Sequence, residues 1–130
     1  MCAAPMLNVL LIEDSPLIRR SLIEAIDATG RARVGAFVDS AAAALRVLAD
    51  QPFDAVIVDL QLREGSGIDV LAHLQRHRML DSTLAVVLTN HALPTYRERC
   101  ARYGAHHFFD KSLEFDRVIE VLEHHAAQSR

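Results

Sequence analysis

The sequence predicts a doubly wound parallel α/β sheet, five strands with five helices packed on both faces. Two observations carry this. Five short apolar runs recur along the chain: Leu7 to Ile12, Arg33 to Val38, Asp54 to Asp59, Leu84 to Thr89 and Ala105 to Phe109. Between them lie stretches whose apolar residues repeat with the helical period. Strands that alternate with helices imply right-handed crossovers, which place helices on both faces of one sheet.

Each element has its own signal. Val56-Ile57-Val58 and Val86-Val87-Leu88 do not alternate with polar residues, the pattern of strands buried on both faces. Arg33 to Val38 is less apolar and belongs at an edge. Ser15-Pro16 supplies a cap followed by proline at the first helical position. Leu22, Ile23 and Ile26 continue the apolar face of that helix, and Gly30 lies just past its end. Asp39-Ser40 caps an alanine-rich second helix with Leu45 and Leu48 toward the core. Ile68, Leu71 and Leu74 mark a third helix. Leu93, Tyr96, Cys100 and Tyr103 fall at 3-4-3 spacing and mark a fourth. Leu113 to Ala127 is the fifth, with Val118, Val121 and Leu122 inward.

The 130 residues suit one domain spanning 1–130, with a core over about 7–125. Hydrophobic residues make up 51% and charged residues 24%, so the chain is globular and not disordered. A formal net charge of -3 gives no polyelectrolyte signature, which argues against direct nucleic-acid binding. No apolar run reaches the roughly 18 residues of a membrane span. Met-Cys-Ala-Ala-Pro-Met lacks the charged and apolar regions of a signal peptide. Cys2 and Cys100 read as two free thiols in a reducing cytosol. The expectation is a soluble cytoplasmic domain. One domain is expected within residues 1–130, either as a stand-alone chain or as part of a longer regulator.

In such a sheet, ligands bind outside the carboxyl ends of the strands, where strand order reverses. The residues there are Glu13 and Asp14 after the first strand, Asp59 at the end of the third, Thr89 at the end of the fourth and Lys111 after the fifth. Three crowded carboxylates repel one another, and a hard cation relieves this. Mg²⁺ suits an oxygen-only set, with Mn²⁺ as the alternative ion. A cation, a lysine and a hydroxyl also suit an incoming phosphoryl group. Asp59 can then act as the nucleophile and become an aspartyl phosphate, with Thr89 and Lys111 attending it. Taken singly, Glu13-Asp14 also read as acids near a helix N-terminus, Asp59 as a turn residue, Thr89 as a cap hydroxyl and Lys111 as a surface charge.

With these residues in place, the chain resembles the receiver domains of two-component response regulators over about residues 7 to 125. The matching segments are Val9-Leu10-Leu11-Ile12-Glu13-Asp14-Ser15, Asp54-Ala55-Val56-Ile57-Val58-Asp59-Leu60, Gly65-Ser66-Gly67-Ile68-Asp69-Val70-Leu71 and Gly104-Ala105-His106-His107-Phe108-Phe109-Asp110-Lys111. The resemblance implies a flavodoxin-like strand order, 2-1-3-4-5. It implies that Glu13, Asp14, Asp59 and the backbone carbonyl of Gln61 hold the metal. Asp59 would be phosphorylated by a histidine kinase or a histidine phosphotransfer protein. Thr89 and Phe108 would be the switch pair, reshaping the surface of the fourth helix, fifth strand and fifth helix. Gln61 and His91 would flank the attacking water and set the phosphoryl lifetime. The output would be a downstream protein target or an effector domain outside this chain.

Three positions depart from the family pattern. Ser112 follows Lys111 where proline is usual, Asn90 follows Thr89 where a small residue is usual, and Arg63 stands where proline is frequent. Asn90 and Ser112 keep alive one alternative, a phosphorylation-independent pseudo-receiver acting as a protein-interaction module. An enzyme is the other rival class. Phosphatases built on similar sheets carry a second Asp two residues after the nucleophile, where this chain has Gln61. The chain is therefore expected to catalyse only its own phosphorylation and dephosphorylation. A flavin carrier needs a glycine- and hydroxyl-rich loop where Glu13-Asp14 stands.

Other constellations point to structure. His73 and His77 share a helix face but lack a third ligand. His106 and His107, adjacent on the fifth strand, point to opposite faces, and His124 and His125 do not converge on their helix. Cys100 reads as a packing residue. Gly65-Ser66-Gly67 lacks the Lys-Ser/Thr ending of a phosphate loop. Arg97, Arg99 and Arg102 on the fourth helix and Glu114, Asp116, Glu120 and Glu123 on the fifth read first as two solvated faces, and as the sharper alternative as complementary surfaces of a homodimer.

Overall fold

The structure is a computed structural model that describes residues 6–90 and 92–128. Cys2 and His91 lie outside the described residues. Among the described residues five strands, β1 (Leu7–Ile12), β2 (Ala32–Val38), β3 (Ala55–Val58), β4 (Leu84–Thr89) and β5 (His107–Asp110), alternate with five α-helices. These are α1 (Pro16–Ala28), α2 (Ala41–Asp50), α3 (Gly67–Arg76), α4 (Pro94–Arg102) and α5 (Phe115–Gln128). The strands form one parallel sheet in the order β2-β1-β3-β4-β5. The expected flavodoxin-like order 2-1-3-4-5 is the one found.

Alternate strand residues feed two cores. Leu10, Ile12, Val56, Val58, Ala85, Val87 and Phe108 face α2, α3 and α4. Val9, Leu11, Ile57, Val86, Leu88 and Phe109 face α1 and α5. Both faces are covered, which is why the central strands carry no polar alternation. Among the described residues β2 pairs with β1 alone, and its register shifts between Val9 and Leu10, leaving Gly35 as the bulged residue.

The caps follow the sequence. The Ser15 hydroxyl accepts the Ile18 N–H at 3.4 Å ahead of Pro16. The Ser40 hydroxyl accepts the Ala43 N–H at 3.2 Å. Ser66 and Asp69 form a reciprocal capping box on α3.

Several expectations need correction. Leu45 is only half-buried, and Ala44 with Leu48 makes the core face of α2. Leu93 is 57% exposed because Pro94 begins the helix and Leu93 is its extended cap. Only Cys100 of that 3-4-3 set is fully buried, and burial pushes its thiol up to about 11, away from thiolate chemistry. Leu113 is 83% exposed and precedes α5, which starts at Phe115. The strand expected from Ala105 starts at His107, after Gly104 turns the chain at φ +87°. His106 therefore stands outside β5, where its Nδ1 accepts the Ala85 N–H at 2.9 Å. The rings of His73 and His77 sit side by side, 4.3 Å between centroids.

Candidate functional site

The carboxyl ends of β1 and β3 adjoin at the point where strand order reverses, and they deliver three carboxylates. Glu13 and Asp14 follow β1, and Asp59 follows β3. Their oxygens lie within 4.8 Å of one another, the one such cluster of three potential ligands among the described residues. Asp14 is the most open of the three, while Glu13 is 2% and Asp59 7% exposed.

The backbone holds these side chains in place. The Glu13 N–H donates to the Val38 carbonyl and the Asp59 N–H to the Ile12 carbonyl, extending the ladder past both strands. Gly67 packs against the Asp59 backbone so closely that a Cβ there would lie 2.3 Å from the Asp59 carbonyl oxygen. The Gly65-Ser66-Gly67 segment thus supports the acidic loop and opens α3, as a loop and not a phosphate cradle.

Lys111, from the end of β5, reaches across the cleft. Its Nζ lies 2.8 Å from Asp59 Oδ2 and 2.5 Å from Glu13 Oε1, and all three side chains are more than nine-tenths buried. Burial alone would lower the Lys111 ammonium, but its bonds to Asp59 and Glu13 outweigh that and raise it. Burial raises the Glu13 carboxyl, and Lys111 and the Ser15 N–H only partly oppose it. Asp59 Oδ1 accepts the Gln61 N–H at 3.3 Å.

These groups line a cleft of about 340 Å³ together with Ser15, Ile18, Leu62 and Asn90. A larger groove, about 640 Å³, runs along α1 and holds none of the clustered carboxylates. Of the expected residues, Glu13, Asp14, Asp59, Gln61 and Lys111 meet in the cleft. Thr89 does not line it. Its side chain is fully buried, its carbonyl accepts the Lys111 N–H at 3.0 Å, and Asn90 lines the cleft beside it. Phe108 is buried on the α4 side, under the Arg97 guanidinium at 4.7 Å from the ring centroid. Two residues escaped the sequence reading. Arg97 passed for a solvated charge. Asp110 carried a signal, an aspartate two residues before a serine, the spacing of a side-chain turn.

Donors that are all oxygen, clustered and partly open, fit a hard divalent ion; the cluster is able to bind a metal. Fold and site together define a flavodoxin-like α/β domain with an acidic cleft at its switch point. Residues 9–123 match the response regulator receiver domain, and the chain belongs to that family.

Similar proteins include the acid tolerance regulatory protein ActR of Rhizobium meliloti, 26% identical over 115 residues, 88% of this chain and 57% of that protein. The polar-differentiation response regulator DivK of Brucella ovis is 25% identical over 116 residues, 89% of this chain and 93% of that protein. The chain spans about half the length of the first curated relatives it matches, 57% of ActR and 47% of the sensory transduction protein LytT of Enterococcus faecalis. The receiver domain of the Pseudomonas aeruginosa sensor histidine kinase PA1611, solved with a magnesium ion in its active site cleft, superposes with a TM-score of 0.80. It shares 22% identity and covers 94% of this chain and 98% of that one.

Proposed function

We propose that this chain is a phosphoryl-operated switch, a single receiver domain over residues 1–130 whose acceptor is Asp59. The observation that carries this is the buried Lys111 ammonium joining Asp59 Oδ2 and Glu13 Oε1 at the floor of the cleft. A carboxylate oxygen of Asp59 attacks the phosphorus of a phosphohistidine on a kinase or phosphotransfer protein. The P–N bond breaks, and the imidazole leaves with a proton. Lys111 offsets the charge gathering on the phosphoryl oxygens. Glu13, Asp14, Asp59 and the Gln61 carbonyl would hold Mg²⁺, or Mn²⁺ in its place. The bound ion supplies further charge compensation for the transferring group.

Phosphorylation then biases a two-state element, Thr89 and Phe108, and the change reaches the surface of α4, β5 and α5. That surface meets a downstream protein, an effector domain or a second copy of the chain. Gln61 sets the lifetime of the phosphoryl group with His91. The domain turns over no external phosphate ester and works in the cytoplasm.

The test is intact mass after incubation with Mg²⁺ and acetyl phosphate, beside Asp59→Ala and metal-free samples. One added phosphoryl group, lost in both controls, is the expected result. No adduct, together with no NMR response to beryllofluoride, would overturn the reading in favour of a phosphorylation-independent interaction module.

A further inference from the structure

Lysine occurs once in this chain, at position 111. Its ammonium must span the cleft to two carboxylates, so its placement depends on how the backbone leaves β5. On the sheet side, the Lys111 N–H is anchored to the Thr89 carbonyl at 3.0 Å. Beyond that point the ladder ends, and a side chain takes over.

Asp110 Oδ1 accepts the Ser112 N–H at 2.8 Å and the Ser112 hydroxyl at 2.6 Å. Asp110 is itself held at both backbone groups. Its N–H donates to Glu114 Oε1 at 3.1 Å, and its carbonyl accepts the Glu114 N–H at 2.8 Å. The result is a side-chain turn closed around Lys111. The Ser112 hydroxyl, then its N–H, holds the Asp110 carboxyl below its ordinary range, so the acceptor stays ionised. A proline at 112 would offer neither donor.

We infer that Asp110 and Ser112 form a clamp that positions Lys111 against Asp59, which makes Asp110 a positioning residue for the phosphoryl transfer. This rests on Asp59 as the acceptor. The clamp supplies, through two hydrogen bonds, the backbone restraint that a proline ring would impose at the same place. Lys111 then needs little rearrangement to meet the phosphoryl oxygens.

A lone lysine makes the test direct. Lysine-selective ¹³C labelling gives one side-chain signal, whose chemical shift and relaxation report how firmly Lys111 is held. The same samples give the initial rate of phosphorylation by acetyl phosphate across a Mg²⁺ series. Asp110→Ala is expected to lower the saturating rate about tenfold, because misplaced reacting groups cost rate steeply. The Mg²⁺ half-saturation should stay put, and the Lys111 signal should sharpen and move toward its position in free lysine. Asp110→Asn keeps the acceptor oxygen and should restore both readings. In a Lys111→Met background, Asp110→Ala should lower the rate no further. Should Asp110→Ala fail to fold, Ser112→Ala removes the hydroxyl donor alone and should slow the reaction about threefold.

Equal behaviour of Asp110→Ala and Asp110→Asn would overturn the clamp. So would an unchanged Lys111 signal in a folded Asp110→Ala or Ser112→Ala protein, or a rate loss that persists without Lys111. If the parent takes no phosphoryl group, the acceptor reading fails instead, and the Lys111 shift and relaxation still decide whether the clamp exists.

Discussion

The Arg97 guanidinium lies 4.7 Å from the centroid of the Phe108 ring and donates a 3.2 Å hydrogen bond to the Phe108 carbonyl. One side chain of α4 thus restrains both the ring and the backbone of a buried residue in β5. Any rearrangement of Phe108 must first give up that contact.

Arg97→Ala should therefore favour the switched state. A cation–π contact of this kind is worth about 0.5–1 kcal/mol. If it stabilises only the unphosphorylated arrangement, its loss should tighten beryllofluoride binding about two- to fivefold. An NMR titration of both proteins checks this. Unchanged or weaker binding would mean that the contact persists in both states.

Gly67→Ala should damage the site from behind. The new Cβ would lie 2.3 Å from the Asp59 carbonyl oxygen and 3.0 Å from the Leu60 Cα, both rigid backbone. Overpacking of this kind costs about 1–3 kcal/mol. Urea denaturation should show that loss, and phosphorylation should slow because the acceptor strand end shifts. A variant as stable as the parent would show that α3 can slide away freely.

The strands were legible because burial on both faces leaves uninterrupted apolar runs such as Val56-Ile57-Val58. The acidic cluster was legible because Glu13, Asp14 and Asp59 each follow a strand, and topology brings strand ends together. What misled was residue type without context. Leu93 and Leu113 are apolar but stand before Pro94 and Phe115, outside the helical period that seemed to include them. Thr89 stands at the expected strand end, with its side chain buried and Asn90 lining the cleft beside it. Arg97 and Asp110 act through partners that only folding brings near, or through a turn too short to show as a motif.

Lys111→Met should destabilise the protein and sharpen its dependence on Mg²⁺. The lysine, Glu13 and Asp59 side chains are 6%, 2% and 8% exposed, so water replaces the lost partner poorly. Removing one member of a buried ion pair costs about 3–5 kcal/mol, because it leaves charge buried and unpaired. A divalent ion at the three carboxylates would offset part of that cost. The expected outcome is a lower Tm in chelator, with a larger rise on adding Mg²⁺ than the parent shows. An equal rise in both proteins would separate the metal from the lysine.

Acid should loosen the other end of the sheet. His106 Nδ1 accepts the Ala85 N–H at 2.9 Å and can do so only while unprotonated. Burial lowers its pKa from the ordinary 6.5 and nearby His125 lowers it further, against a smaller opposing bond to the Leu80 backbone. Burial lowers His107 too, with contributions from His106, Arg117 and His125. A histidine whose folded pKa is depressed takes up protons more readily when unfolded. Its contribution is thus complete above 6.5 and is lost as pH falls through the depressed value. Denaturation midpoints should decline as the pH drops below 6.5, and His106→Asn, whose amide oxygen keeps an acceptor without titrating, should flatten that decline. An unaltered slope in His106→Asn would assign the acid sensitivity to His107 or to the carboxylates of the cleft.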